Sequence, residues 1–354
     1  MGDDGKRELI EWLLNGIVAT RVRTSPARVE SVALLIPKDS PARVNIQRLL
    51  AHAYYLTAQH GRMTVLVASI DESQPVSNVQ RVDNCATRFM ACLLGSQFED
   101  ALVPLDEGLK WVDDDQTRIH FEHNKALIQR RLGKLPESEA LINSVIQECM
   151  RLDMRETYAR ALLTRAELHS EAGNITLALQ DAQDVLCAAT EVGDAVTAAL
   201  SHIHLAFFET MANRYDLAES YAQESIRQHQ ALNMPARAAL GMEILVPIQV
   251  WRLFETLPSW DTTLDNHQIL ACEQLGSKLQ HLLRNYKSDT RMRLCILNAC
   301  AAWCEYHAGD RAKALEFARN ASLRSSDERP GVTRYFEGYF ELARQIIAKL
   351  ETNT

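Results

Sequence analysis

The chain has 354 residues, 47% of them hydrophobic, and a formal net charge of −8. That length accommodates two or three ordinary domains or one long repeat array. Mild acidity argues against non-specific nucleic-acid binding, no apolar run reaches the length of a bilayer span, and only 14 glycines and 10 prolines point to an almost wholly helical protein. The opening residues, Met1-Gly2-Asp3-Asp4-Gly5, lack the basic-then-apolar order of a secretory signal. A cytoplasmic location is expected, or a nuclear one in a eukaryote, with no membrane and no direct nucleic-acid partner. The eight cysteines form no Cys-x-x-Cys pair, which suggests reduced, buried thiols.

Residues 6–22 read as a first helix with Leu9, Trp12, Leu13 and Ile17 on one side. Ser25-Pro26 and Ser40-Pro41 each read as an N-cap followed by proline at the first helical position. The first of these helices stops before Pro37, and the second runs from Ala42 to about Gln59. Arg62–Ile70 supplies a short partner, and Asp71–Asn78 is a loop. Residues 79–94 and 97–111 form the first clear helix pair, where Pro104 should kink the second helix or mark its true start.

From Val112 onward a period appears. The tracts beginning at Val112, Leu152, Val192 and Leu232 are each 40 positions apart. Ala126, Ala166 and Ala206 keep the same interval, as do Gly133, Gly173 and Asn213, and Ser138, Ala178 and Ala218. One unit is helix, tight turn, helix, loop: Arg155–Ala172 carries Leu162, Leu163 and Ala166 at helical spacing, Gly173-Asn174 ends it, and Ala178, Ala182 and Val185 mark the second helix. The small residues let paired helices cross closely. Beyond 234 the period loosens. Ala236–Leu257 is a long apolar helix interrupted by Pro247, Leu257–Thr263 is an insertion loop, and Leu264–Tyr286 is a further helix. Arg291–His307 with Arg311–Arg324 is the last pair. Val332–Leu350 is a capping helix that packs through Tyr335, Phe336, Tyr339, Phe340, Ile346 and Ile347. The resulting divisions are 1–78, degenerate helices and first repeat; 79–234, regular repeats; 235–289, an irregular repeat with its loop; and 290–354, the last repeat and cap.

These turn and small-residue positions resemble a tetratricopeptide repeat array in a variant of about 40 residues rather than about 34. The variant is similar to the helical-repeat domains of maltose-regulator-type transcription activators, to peptide-sensing regulators of Gram-positive bacteria and to cargo or polarity adaptors of animal cells. The resemblance implies an all-α fold: a right-handed α-solenoid of stacked helix-turn-helix units, closed by the C-terminal helix.

No Gly-rich phosphate loop, His-Glu-x-x-His or Gly-x-Ser-x-Gly tract occurs in the sequence. No enzyme activity, catalytic residue, metal or cofactor is therefore expected. Cys295, Cys300, Cys304 and His307 share one helix and read as packed thiols rather than metal ligands. His120 and His123 could share a ligand, whereas His202 and His204 cannot face the same way.

In the family register, first helices line a concave wall that holds a peptide. Turn position places His120, His123, Leu127, Arg130 and Arg131 on that wall in one repeat. Arg160, Leu163 and Glu167 follow in the next, and Phe207 and Met211 in the one after. The arginines suit a carboxylate, which they grip with paired hydrogen bonds. The expected function is a non-catalytic interaction scaffold or regulatory adaptor. It binds a partner's peptide segment, acidic or ending in a carboxylate. The alternative is a ligand-gated sensor for a small peptide or metabolite, hinged at residues 235–286. Charge reversal at Arg130 and Arg131 should abolish capture without altering the melting temperature. The opposing reading makes the charges an ordinary solvated face and packs Leu163, Phe207 and Met211 inside.

Overall fold

The computed structural model describes residues 29–30, 42–56, 59–71, 77–191, 193–232, 234–285, 291–322 and 337–352. The expected helix at 6–22, the Ser-Pro starts at 25 and 40, and Tyr335 and Phe336 lie outside them. Among the described residues every regular element is a helix. The chain divides into two units, Met1–Glu148 and Cys149–Thr354. The division falls inside one helix of the regular repeats.

The first unit contains α1 (Ala42–Leu56), α2 (His60–Asp71), α3 (Asn78–Leu94), α4 (Phe98–Leu109), α5 (Asp115–Arg131) and most of α6 (Leu135–Arg151). Ile46, Leu50, Tyr54, Met63, Leu66 and Ile70 join α1 to α2 and meet Met90 and Leu94 of α3. Tyr54 donates to Glu30 at 2.8 Å; burial first, and that carboxylate second, push its hydroxyl up to about 12. A second cluster joins Val82, Cys85 and Phe89 of α3 to Leu105 of α4 and Phe121 and Ile128 of α5. Helix α4 runs through Pro104, which is buried. At Gly108 a Cβ would come within 2.2 Å of the Phe121 ring, so the absence of a side chain there permits the close crossing.

The second unit contains α7 (Arg155–Glu171), α8 (Ile175–Glu191), α9 (Ala195–Met211), α10 (Tyr215–Ala231), α11 (Pro235–Glu255), α12 (Asn266–Arg284), α13 (Arg291–Ala308), α14 (Arg311–Ser322) and α15 (Glu337–Glu351). Consecutive helices pack on one another, and α15 covers α13 and α14 as a cap. Its Tyr339, Phe340, Leu342, Ala343, Ile346 and Leu350 are buried.

The periodic turns have a single backbone cause. Ser96, Gly133, Gly173, Asn213 and Gly309 all take positive φ, between 55° and 90°. The next residue donates back five positions, as in Asn174 N to His169 O at 2.8 Å and Arg214 N to Glu209 O at 2.9 Å. This closes each helix and turns the chain into its partner. The inter-repeat tracts at Asp153 and Gly193 repeat the device, with φ of 50° and 71°. The small residues sit where the helices cross: Ala126, Ala166, Ala206, Ser138, Ala178 and Ala218 are all fully buried. Ser138 Oγ donates to the Ala126 carbonyl at 2.7 Å across one crossing.

Three expectations need correction. Helix α11 is not interrupted: it continues through Pro247, held by the buried Ile244, Val246, Ile248 and Val250. The insertion loop is fastened. Trp303 Nε1 and His307 Nε2 reach the Trp260 carbonyl at 3.0 and 2.8 Å, and Lys349 pairs with Asp261 at 2.7 Å. That geometry opposes the hinge reading. The expectation that every thiol is buried fails at Cys187 of α8, which is exposed, and at Cys92, which is half-buried.

His229 on α10 is fully buried. Its Nδ1 lies 2.9 Å from the Ser225 carbonyl and 3.1 Å from Ser225 Oγ. A carbonyl only accepts, so Nδ1 carries the hydrogen. Burial holds the ring's pKa below 6.5, and Arg237 and His202 push the same way. A lowered folded pKa contributes stability above pH 6.5 that is lost as pH falls below it. The melting temperature should therefore drop between about pH 7 and 5, and His229→Gln should flatten that drop. Equal slopes in a pH series of thermal unfolding would refute the assignment.

Candidate partner-binding faces

The expected wall residues in the first unit lie on α5. Asp114 caps this helix by accepting from Thr117 N at 2.8 Å. His120 is exposed, Leu127 and Arg131 are half-buried, and His123 and Arg130 are buried. The two histidines therefore stand in different environments and do not form a shared surface ligand pair. Arg131 lies 6.0 Å over the Phe98 ring. Two further cations of α5 are held within the unit. Arg118 pairs with Asp115 at 2.9 Å, Glu122 at 3.1 Å and Glu148 at 3.3 Å, and its pKa is raised, chiefly by the Asp115 hydrogen bond. Lys125 pairs with Asp106 at 2.6 Å.

In the second unit Arg160 is exposed, Glu167 and Phe207 are half-buried, and Leu163 and Met211 are buried. The expectation that all these residues are accessible is thus corrected for His123, Arg130, Leu163 and Met211. First helices are packed by neighbours on several sides, and these four side chains fall on the packed sides. Arg165 illustrates the same enclosure, gripping Asp181 of α8 with two bonds of 2.8 and 2.7 Å.

The second unit holds a small cleft. Phe207 and Thr210 of α9, Glu243, Ile244, Pro247 and Ile248 of α11, Ile296 of α13 and Tyr339 of α15 line it. The Tyr339 hydroxyl donates to the Pro247 carbonyl at 3.4 Å, and its ring packs 4.7 Å from that of Trp251. Burial raises the pKa of this hydroxyl, so it stays a donor. The cavity is about 30 Å³. His204 Nδ1 of α9 stands 3.9 Å from Glu167 of α7. His202 turns the other way, 5.8 Å from the Tyr221 ring.

Sequence reasoning found Phe207, and placed Ile296 of the last pair on the same wall, but missed Thr210, Glu243 and the α11 lining. The register was carried from the turns, and it lapses where the 40-residue period ends. Pro247 within an otherwise apolar helix was the available signal.

The Cys272, Cys300 and Cys304 thiols are fully buried. Burial pushes the Cys300 thiol up, and the hydrogen bond with Cys272 does most to raise Cys304. Neutral thiols are poor nucleophiles and metal ligands. Among the described residues no group of three or more His, Cys, Asp or Glu is placed to hold a metal ion. No described helix is long and apolar enough to cross a membrane.

No protein-family model matches the chain, and no curated protein matches it in sequence. Solved structures do resemble it. A Rap protein complexed with competence and sporulation factor aligns over 98% of each chain at 10% identity, with a TM-score of 0.61. Apo RapI covers 97% of this chain and 99% of its own at 12% identity, with a TM-score of 0.55. A signal transduction ATPase with a tetratricopeptide repeat sensor, from Pyrococcus horikoshii, matches 98% of this chain and 50% of its own at 14% identity, with a TM-score of 0.58. The all-α fold of this chain is the helix-hairpin repeat of tetratricopeptide proteins.

Proposed function

We propose that this protein is a regulatory adaptor that binds a peptide segment of a partner and performs no chemistry. The cleft between α9, α11, α13 and α15 carries this reading: its lining is mostly apolar, with Thr210 and Glu243 as the polar members. The Rap neighbour's complex with competence and sporulation factor agrees with it. Sites that engulf a drug-sized ligand measure roughly 300–1,000 Å³. A cavity of about 30 Å³ instead accepts one group of a segment laid across it, which favours the adaptor over a metabolite sensor.

In the first unit, exposed His120 and half-buried Arg131 are the groups that would meet a partner's acidic or C-terminal carboxylate, and Arg160 would do so on α7. Charge-assisted contacts of this kind are short and directional.

Thr210 is half-buried, and its hydroxyl only returns to the Ala206 carbonyl at 2.8 Å. Thr210→Arg should fill the cleft, weakening partner capture by about tenfold or more. The melting temperature should stay within about 4 °C of the parent. Captured proteins compared by mass spectrometry for parent and variant decide it. An unchanged set sinks the reading.

A further inference from the structure

The cleft is small, and its polar lining groups are already engaged. The Thr210 hydroxyl donates to the Ala206 carbonyl at 2.8 Å, and the Tyr339 hydroxyl donates to the Pro247 carbonyl at 3.4 Å. Glu243 interacts within the chain, and its Oε2 is buried. A polar or charged group entering here would give up water and meet no group reserved for it, which is unfavourable. Size is limited as well. One water-sized group needs about 10–15 Å³ of free space. The cavity offers about 30 Å³, room for about two or three non-hydrogen atoms. Its walls do not yield easily. Ile244 and Ile248 of α11, Ile296 of α13 and Tyr339 of α15 are all buried, and a packed site resists extra methylenes. Among the apolar lining residues, only Phe207 is half-buried rather than buried.

We propose, building on the peptide-binding reading, that this cleft selects a segment by one small, uncharged apolar side chain, with valine the best fit. An isopropyl group matches the free space. A single methyl group, as in alanine, fills it only in part, and a phenyl ring exceeds it. Threonine has nearly the shape of valine but brings a hydroxyl that the engaged polar groups do not satisfy. Phe207 sets the upper size limit. Its chain neighbours Ala206 and Phe208 are fully buried and hold α9 in place, so shortening Phe207 enlarges the cleft without removing that core. The second unit's cleft is thereby specified by size and apolarity, whereas the first unit's face favours a carboxylate.

The test is a set of pooled synthetic octapeptides, N-acetylated and C-amidated so that their termini carry no charge. Each pool fixes one central residue as Ala, Val, Thr, Phe or Lys and mixes the flanking positions. The immobilised full chain and its Thr210→Arg and Phe207→Ala variants are compared for retained peptide, after a thermal check of folding. The expected result is retention of the Val pool about tenfold above the Thr, Phe and Lys pools, with Ala between them. Thr210→Arg should lose that retention. Phe207→Ala should raise the Phe pool by about tenfold, because the ring it needs to displace is gone. Retention that Thr210→Arg abolishes but that ignores the central residue overturns the size inference and leaves the peptide reading standing. A Val preference that Phe207→Ala does not relax does the same. Retention that no pool shows, or that Thr210→Arg does not affect, overturns both.

Discussion

Replacing Trp303 by alanine should destabilise the second unit by about 3–5 kcal/mol, a drop of roughly 6–20 °C in its melting temperature. Trp303 is fully buried in α13. It lies edge-on to Phe254 of α11 at 6.2 Å and 4.7 Å from the His307 ring. Its indole N–H also holds the Trp260 carbonyl at 3.0 Å. Alanine would therefore open a cavity and free one of the fastenings of the 257–263 loop together. Limited proteolysis should cut that loop faster in the variant, while thermal unfolding reports the stability loss. A loss under about 1 kcal/mol, or unchanged cleavage, would show that the loop is held elsewhere.

Arg130→Glu should be comparably damaging, with a loss of about 3–5 kcal/mol. This reverses the sequence-based expectation that charge reversal there leaves the melting temperature alone. Arg130 is 3% exposed, so glutamate would place a carboxylate in a site shaped around a guanidinium. Its neighbour Arg131 is half-buried over the Phe98 ring. Arg131→Glu should therefore lose less than about 1 kcal/mol, as partly exposed charges usually do. If that face meets a carboxylate, Arg131→Glu should also cut capture of an acidic segment. Thermal unfolding of both variants separates the cases. Equal, small shifts would return Arg130 to the surface.

The contrast between these adjacent residues shows where sequence reasoning succeeds. Helix pairs and turns were legible because a left-handed backbone favours Gly or Asn, as at Gly133, Gly173 and Asn213. Close crossings were legible because they demand small side chains, as at Ala166 and Ala178. Neither requirement depends on distant parts of the chain. Which polar residues of a first helix are enclosed does depend on them. Arg130, His123, Ser201 and Glu209 are all buried, and nothing in their immediate sequence distinguishes them from the exposed His120 and Arg160.

By itself, then, the sequence determined the repeat: its period, its hairpins, its crossing points and its helical cap. Those follow from local backbone geometry and side-chain size. Only the tertiary structure decided the cleft. Tyr339 meets Pro247 across 92 positions of chain, and no periodic pattern encodes a contact between the cap and an irregular repeat. The pocket's lining arises from that packing, because a binding surface is made of whichever side chains the folded neighbours leave partly uncovered.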